Sequence, residues 1–364
     1  MRQQGRCWKR PEARLMLNAK RILITRTDRL GDVILSTPVL RAVREVYPDS
    51  FIAMMVRPYT KECVEGNPYI NEVILYDKYG IDKSISSSFR FALELRKRRF
   101  DLALILHPTN RMNLMIFLAG IPRRVGFNKK LGFLLTKRLP HTKHLGEKHE
   151  VDYTLDIVRA IGIIPKHRSL YMPIKKSVQK SVGETLLRHG VFESDRLVAL
   201  HPSASCLSKK WPSKKFAILA DRLIDKYNVK IALIDGSDGK ADADETRRNM
   251  RRDVIDLSGK TGISELASLL KRCVLFISND SGPVHLSSAV GTPVISIFGR
   301  KDPGLGPIRW GPTGRYDIML HKDVECERCL AHNCDKDFLC LNAIKEDEVL
   351  EKAEAILKRN RRLP

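Results

Sequence analysis

The chain has 364 residues, 43% of them hydrophobic, which suits two α/β domains of roughly 150 to 200 residues each. No apolar run reaches the roughly 18 to 20 residues of a membrane span, and the basic residues 1–18 lack the apolar core of a secretory signal. A formal charge of +23 favours a polyanionic partner: nucleic acid, an anionic membrane or a phosphorylated glycolipid. We therefore expect a cytoplasmic protein with a basic N-terminal extension over residues 1–18.

In the first half of the chain, short apolar runs alternate with longer amphipathic stretches. The pattern predicts strands and helices over these ranges: strands 21–26, 51–56, 72–77 and 101–106, helices 32–47 and 86–98. Short runs without polar alternation are typical of strands that are buried on both faces of a parallel sheet. Alternation at this spacing predicts right-handed crossovers and a doubly wound domain over residues 19–172.

A second series of the same kind follows a predicted linker over residues 173–192. It predicts strands over 196–201, 229–235, 254–257, 274–278 and 294–298, and helices over 213–226, 241–251 and 263–271. The second domain is expected over residues 193–345, and a charged helix over 346–364 ends the chain. Ligands of open α/β sheets bind beyond the carboxyl ends of the strands, so the loops at those ends are the candidate sites.

The first candidate loop contains Gly31 and Asp32, between the first strand and its helix. A carboxylate at the mouth of a site can take a proton from an attacking hydroxyl, and Gly31 has no side chain to block the approach of a substrate. Asp32 also stands where a helix N-cap would stand, which explains it nearly as well. The loop has no GxGxxG pattern, so a dinucleotide fingerprint is absent.

The second candidate loop, Asp280-Ser281-Gly282, follows a strand and opens a short helix. Backbone N–H groups at a helix start bind phosphate well, Ser281 adds a hydroxyl, and Gly282 lets the ligand approach. His285, about one turn into the helix, can reach the ligand or support the loop. The alternative is an ordinary tight turn.

The third candidate loop offers Ser203, Ser205, Lys209 and Lys210 after another strand. Small hydroxyls and a lysine suit a diphosphate, because the lysine neutralises charge that grows on a leaving group. The alternative is a pair of solvated lysines.

Three stretches together resemble glycosyltransferase family 9, the ADP-heptose:lipopolysaccharide heptosyltransferases: RILITRTDRLGDVILSTPVLRAVREVYP, SKKWPSKKFAILADRL and ISNDSGPVHLSSAVGTPVISIFG. The resemblance covers nearly the whole chain, and the DSGPVHL block is its most specific part. It implies the GT-B fold, with two Rossmann-like, doubly wound parallel-sheet domains that face each other across a cleft. It also implies inversion of configuration at the transferred sugar.

The resemblance assigns roles to the donor-side loops. Lys209 would contact the donor phosphates, and Ser203 or Ser205 would match the family's hydroxyl in the same loop. The turn Asp280-Ser281-Gly282 would cradle the diphosphate, with His285 nearby. An acidic residue that holds the ribose is expected within 242–245.

On the acceptor side, the resemblance makes Asp32 the general base, with Gly31 beside it, and Arg111 is a further candidate contact. The function implied is transfer of heptose from ADP-heptose onto a lipopolysaccharide core acceptor, Kdo or heptose, at the inner face of the cytoplasmic membrane. The basic first domain would then contact anionic lipid and phosphorylated glycolipid. No cofactor is required: Mg²⁺ often assists nucleotide leaving groups, but no DxD-type carboxylate pair stands at a strand end.

Two other classes of function remain open at this point. A sugar-nucleotide epimerase of GT-B-like fold would act on the donor alone, without an acceptor. A nucleic-acid-binding protein is suggested only by the charge, because no RRM, KH, zinc-finger or helix-turn-helix pattern accompanies it.

Four of the eight cysteines form a CxxC-x4-C-x5-C cluster: Cys326, Cys329, Cys334 and Cys340. Four thiols at this spacing in a cytosolic chain can hold a structural zinc or, as a weaker candidate, an iron–sulfur cluster. The alternative is a set of reduced thiols on a C-terminal loop. The remaining cysteines are interpreted as isolated, inert thiols: Cys7, Cys63, Cys206 and Cys273.

Overall fold

The computed structural model describes residues 18–360 and divides them into two compact units. Unit 1 contains the described residues up to Thr142 together with Val151–Arg168, and unit 2 contains Lys143–Glu150 and the chain from Ser169 onwards. The backbone therefore passes between the units three times: after Thr142, after Glu150 and after Arg168. Of the predicted extension over 1–18, only the last residue is described, and Cys7 lies outside the described residues. The last four residues of the predicted helix 346–364 also lie outside them.

Unit 1 is built on a six-stranded parallel sheet with the order β3-β2-β1-β4-β5-β6. Its strands are β1 (Arg21–Thr25), β2 (Phe51–Val56), β3 (Glu72–Leu75), β4 (Leu102–Ile105), β5 (Arg123–Phe127) and β6 (Lys137–Leu139). Its helices are α1 (Leu30–Ile34), α2 (Thr37–Val46), α3 (Ile85–Lys97), α4 (Asn110–Leu118) and α5 (Glu150–Arg159). Helices α3 and α4 pack side by side, and their buried apolar residues form one core with the sheet.

Unit 2 repeats the architecture with the strand order β12-β11-β10-β7-β8-β9, again all parallel. Its strands are β7 (Leu197–His201), β8 (Lys230–Leu233), β9 (Ile255–Asp256), β10 (Leu275–Asn279), β11 (Val294–Phe298) and β12 (Ile318–His321). Its helices are α6 (Lys176–Arg188), α7 (Ser213–Tyr227), α8 (Lys240–Asn249), α9 (Ile263–Arg272), α10 (Gly282–Val290), α11 (Pro307–Trp310), α12 (Leu339–Asn342) and α13 (Glu346–Asn360).

The C-terminal helix α13 packs against α7 and completes the core of unit 2. Among the described residues, Trp211 has the largest fully buried side chain. Its Nε1 donates to the carbonyl of Ile344 at 3.1 Å. Because a buried indole N–H needs an acceptor, this hydrogen bond fixes the turn before α13 against the loop that precedes α7. The two Rossmann-like, doubly wound parallel sheets confirm the predicted fold class.

Candidate active site

In each unit the strand order reverses between two central strands. The reversal lies between β1 and β4 in unit 1 and between β7 and β10 in unit 2. Open α/β sheets bind ligands at the carboxyl ends of strands at such a point, because the loops there diverge. Asp32 follows β1 and Asp280 follows β10, so each predicted site residue lies at the switch point of its own unit.

A buried arginine holds Asp32 in unit 1. Arg26 follows β1 and is only 2% exposed, and its guanidinium donates from Nη2 to Oδ1 of Asp32 and from Nε to Oδ1 of Asp28 at 2.8 Å. A third bond runs from Nη1 to the carbonyl of Leu106, just after β4, at 3.3 Å. His107 Nδ1 lies 3.7 Å from the other oxygen of Asp28. The network fixes the orientation of the Asp32 carboxylate at the carboxyl end of the sheet.

The N-cap interpretation of Asp32 is wrong. Helix α1 begins at Leu30 with Arg29 as its N-cap, and Asp32 is the third residue of the helix. Its side chain is half-buried, while Gly31 before it is buried. The carboxylate therefore serves as the partner of Arg26 and not as a cap of backbone N–H groups.

In unit 2, the carboxylate of Asp280 lies between two cations. Lys209 Nζ is 3.0 Å from Oδ2 of Asp280. Arg300 lies just beyond β11, and its Nη2 is 2.7 Å from the same oxygen. Lys209 also donates to the Asp280 carbonyl at 3.2 Å. Arg300 and Asp280 are buried. Two cations share one carboxylate, so the cluster carries a net positive charge at the edge of the sheet, which suits an anionic ligand.

Asn279, the last residue of β10, ties the two donor-side loops together. Its Oδ1 accepts from the backbone N–H of Trp211 at 2.9 Å, and its Nδ2 donates to the carbonyl of Pro202 at 2.7 Å. The side chain is fully buried. A buried amide with both ends satisfied holds the 202–211 loop in one position beside the Asp280 turn.

The Ser281 turn has the geometry that the sequence predicts for a helix start. Helix α10 begins at Gly282 with Ser281 as N-cap and ends at Val290, and Gly291, with φ +84°, is its C-cap. The Ser281 hydroxyl bonds the Ser278 hydroxyl at 2.9 Å, and His285 is buried within the first turns of the helix. Backbone N–H groups at a helix start of this kind can bind a phosphate, and this role of the turn stays a prediction.

The two serines of the third loop differ in environment. Ser203 is buried and donates its hydroxyl to Oδ1 of Asp235, two residues beyond the end of β8, whereas Ser205 is exposed. A Cβ at Gly239 would lie 1.7 Å from Oδ1 of Asp235 and 2.4 Å from the Ser203 hydroxyl, so this position needs glycine. Of the two, only Ser205 has a hydroxyl exposed to solvent.

Asp242 is the member of the predicted ribose-binding range that contacts the donor-side loop. It lies in the first turn of α8, and Lys210 Nζ is 2.8 Å from its Oδ1. Asp244, in contrast, lies 3.6 Å from Arg247 of its own helix. The contact with Lys210 brings Asp242 to the residue that follows Lys209 in the chain.

Comparison with known proteins decides the family. The profile of glycosyltransferase family 9 (heptosyltransferase) matches residues 88–339. The chain belongs to this family. Lipopolysaccharide heptosyltransferase 3 of Escherichia coli (strain K12) is 27% identical over 340 residues, which cover 90% of this chain and 95% of that protein. Lipooligosaccharide heptosyltransferase 2 of Campylobacter jejuni is 25% identical and covers 90% of this chain and 96% of its own length.

Solved structures agree with the family 9 assignment. A family 9 glycosyl transferase from Veillonella parvula superposes with a TM-score of 0.84 at 27% identity, over 93% of this chain and 98% of that one. Escherichia coli ADP-heptose lps heptosyltransferase II superposes with a TM-score of 0.78 at 19% identity, over 94% and 99%. The fold is therefore GT-B, and the chain is a glycosyltransferase, as the sequence predicts.

Several residues of this family 9 site are not among the sequence-based candidates: Arg26, Asn279 and Arg300. Each stands at or just beyond the carboxyl end of a strand, and that position is the signal that could have found them. Arg111, the acceptor-side candidate, is half-buried in α4 and donates to the carbonyl of Asp82 at 3.3 Å. It contacts a loop of its own unit, and its acceptor role stays a prediction.

The four clustered cysteines of this glycosyltransferase line one small cavity of about 40 Å³. Cys340 Sγ donates to the carbonyl of Gly299 at 2.8 Å, and the Ser208 hydroxyl lies 3.2 Å from Nδ1 of His332 in the same loop. Within residues 18–360, however, no three His, Cys, Asp or Glu side chains are arranged to hold a metal ion. The zinc site stays a prediction, on a loop that contacts the neighbours of Lys209 and Arg300.

Two of the isolated thiols are expected to be unreactive. Cys63 and Cys273 are buried, and burial raises the pKa of each thiol to about 12. Because the thiolate is the reactive species, neither is expected to react at neutral pH. Cys206 is half-buried beside the hydroxyl of Ser208, at 3.4 Å.

A second charged network in unit 2 is buried. Glu150 is fully buried and accepts from Lys143 Nζ at 2.6 Å and from Nε and Nη2 of Arg309 at 2.9 and 2.8 Å. Arg309 also donates to the carbonyl of Gly304 at 2.9 Å. The segment Lys143–Glu150 is thereby fixed to the loop that follows β11.

The search for membrane spans gives a negative result. Among residues 18–360, every helix is too short or too polar to cross a bilayer.

Proposed function

We propose that this glycosyltransferase inverts configuration while moving heptose from ADP-heptose onto a Kdo or heptose residue of a lipopolysaccharide core. The names of its relatives support the sugar and the acceptor class, since the proteins similar over 90% of the chain are lipopolysaccharide and lipooligosaccharide heptosyltransferases. In this proposal, unit 2 binds the nucleotide sugar and unit 1 supplies the base.

The observation that carries the proposal is the Lys209–Asp280–Arg300 cluster at the switch point of unit 2. Two cations that share one carboxylate retain positive charge, and the N–H groups at the start of α10 lie beside them in the chain. A diphosphate needs both features, because its charge increases as the bond to the sugar breaks. Asp242 is the proposed partner of the ribose hydroxyls, and the exposed Ser205 is the proposed hydroxyl contact.

The proposed base is Asp32. It removes the proton from the attacking acceptor hydroxyl as the oxygen bonds to the anomeric carbon, and the bond from that carbon to the diphosphate breaks on the opposite face. ADP leaves with the bonding electrons, and Asp32 keeps the proton. The hydrogen bond from Arg26 uses Oδ1 of Asp32, so Oδ2 is the oxygen proposed to accept the proton. No step of this proposal needs a metal ion.

The substitution Asp32→Asn tests the base. Asparagine keeps an oxygen for Arg26 to bind but cannot take the proton, so kcat should fall by roughly 10² to 10⁴. The affinity for ADP, measured by calorimetry, should not change, because the donor loops belong to unit 2.

Asp28→Asn is the matched control, since Asp28 shares Arg26 with Asp32 but has no proposed proton to accept. It should retain most of the wild-type turnover. Near-wild-type turnover in Asp32→Asn would show that Asp32 only supports Arg26.

A further inference from the structure

The outer face of α3 carries an apolar stripe that is exposed among the residues the structure describes. Ile85, Phe89 and Leu93 are spaced by four residues along the helix and are all exposed, Ile85 at 87% and Phe89 at 51%. Two other residues of the helix, Ala92 and Leu95, are buried in the core of unit 1. An amphipathic helix of a globular protein normally presents polar residues to solvent. The exposed apolar residues of α3 depart from that pattern.

The neighbouring helix extends the same feature. Leu114 and Phe117 of α4 are exposed, while Met112, Met115 and Ile116 pack into the core beneath them. Helices α3 and α4 pack side by side on one face of the sheet. The outer face of the pair, defined by Ile85, Phe89, Leu93, Leu114 and Phe117, is named here the α3–α4 face.

A further exposed aromatic residue borders the α3–α4 face. Phe133, exposed in a 3₁₀ turn, follows Leu131, whose N–H donates to Oδ1 of Asn110 at the start of α4, at 3.2 Å. The side chain of Asn113 donates to the carbonyl of Lys129 at 3.3 Å. These bonds fix the loop 129–134 against α4.

The charges around the α3–α4 face are almost all positive. Between Leu102 and Gly146 the sequence contains no Asp or Glu. Arg90 and Arg96 are exposed on α3, Lys129 and Lys130 are exposed in the adjacent loop, and the Arg124 guanidinium lies 5.4 Å from the Phe117 ring. Among residues of α3, the single acid, Glu94, pairs with Lys97 at 2.7 Å.

We propose that unit 1 docks on an anionic lipid bilayer through the α3–α4 face. Apolar side chains that enter the acyl boundary and cations that meet the headgroups are the combination that interfacial helices use. Nucleic acid could use the cations and stack on Phe89 and Phe117. It would leave the exposed aliphatic side chains Ile85, Leu93 and Leu114 without a partner, whereas a bilayer buries them all. The choice of a bilayer rests on the proposed function, since a lipid-anchored acceptor lies at such a surface.

Sedimentation of the full chain with vesicles tests the docking. The chain should pellet with phosphatidylcholine vesicles that contain phosphatidylglycerol, pellet far less with phosphatidylcholine alone, and be released by high salt. Removing two cations in Arg90→Gln/Lys129→Gln should weaken binding roughly 30-fold. Phe89→Ser/Leu93→Ser should weaken it at least about tenfold while sparing the charges.

A matched control lies on the other face of the sheet of unit 1. The connection from β1 to β2 runs one way along the sheet, and those from β3 to β4 and from β4 to β5 run the other way. Because such crossovers are right-handed, α2 lies on one face of the sheet and α3 and α4 lie on the other. His167 lies 3.8 Å from Glu45 of α2, so its neighbours Ile164, 84% exposed, and Lys166 lie on that side. Ile164→Ser/Lys166→Gln should bind vesicles like the wild type.

Transfer from ADP-heptose to a deacylated, soluble core oligosaccharide separates the docking from the chemistry. The α3–α4 variants should keep the wild-type rate on this acceptor, which also shows that they fold. A wild type that binds vesicles but transfers nothing would contradict the proposed function and support the docking. Equal binding by all variants, no vesicle binding by the wild type, or loss of RNA binding in place of vesicle binding would overturn the docking.

Discussion

At the scale of single residues, the carboxylate of Asp280 lies between two cations of unit 2. The resemblance groups it with Ser281 and Gly282 as a cradle for a diphosphate, yet a carboxylate repels phosphate. In the structure its Oδ2 lies 3.0 Å from Lys209 Nζ and 2.7 Å from Arg300 Nη2. This geometry indicates that Asp280 positions the two cations. The sequence singles out Lys209 and Asp280 but neither Arg300 nor the contacts between the three, because β10, β11 and the 202–211 loop meet only in the fold.

Lys209→Met tests the leaving-group role. The variant keeps the length and apolar stem of the side chain but removes the charge that would stabilise the departing diphosphate. We expect kcat to fall by about 10² to 10³, measured at saturating donor.

Lys214→Met, five residues further on and exposed, is the matched control and should leave kcat unchanged. A loss of kcat in both variants would point to a general effect of charge and not to a role of Lys209.

At the scale of elements, uniform apolar runs were the most predictable feature. Strands β2 and β11 have the predicted bounds, because a strand buried on both faces coincides with a continuous apolar run whose ends are visible in the sequence. Strands β5, β6 and β12 and helices α4, α5, α11 and α12 are not predicted from the sequence. The first two carry arginine or lysine in short runs, RRVGF and KRL, and β12 is a four-residue edge strand. Their place is set by pairing with neighbours and not by their own pattern.

The predicted helix over 32–47 consists of two helices. Helix α1 ends at Ile34, and α2 begins at Thr37 with Pro38 in its first turn. Proline lacks the N–H that would continue the first helix, but it fits the start of the second. Because the first helix begins at Leu30, before the predicted start at residue 32, Asp32 lies inside the helix and is not its N-cap.

The cysteine loop gives a prediction at this scale. If Cys326, Cys329, Cys334 and Cys340 hold a structural zinc, purified protein contains one equivalent by elemental analysis, and removal of the metal lowers the melting temperature. Cys63→Ser is the control, since this buried thiol lies in unit 1 and should leave the metal content unchanged. Substoichiometric zinc and iron in the wild type would mean that the four thiols are reduced and metal-free.

At the scale of the whole molecule, the family and the fold could be predicted from three motifs, whereas the contacts that support the site could not. Arg26, Asn279 and Arg300 lie outside the sequence-based candidates, and each acts by bonding a residue that is distant in the chain or in another loop. Such partners depend on the strand order, which a single sequence does not state.

The nucleotide preference of the complete enzyme can be measured as the rise in melting temperature that each nucleotide causes. ADP should raise the melting temperature by several degrees, since a ligand at about 100 times its Kd adds about 2.7 kcal/mol of stability. UDP and GDP at the same concentration should give smaller shifts. A larger shift with UDP or GDP would contradict ADP-heptose as the donor and leave the transferase assignment in place.

The segment Lys143–Glu150 has a consequence for any exchange of parts between related enzymes. It belongs to unit 2, although the chain on either side of it belongs to unit 1. A chimera joined once, after Arg168, would take Arg309 from one parent and Glu150 from the other. Such hybrids inherit a buried glutamate whose arginine partner comes from a different parent. A functional exchange therefore needs three junctions and must carry these eight residues with the second half.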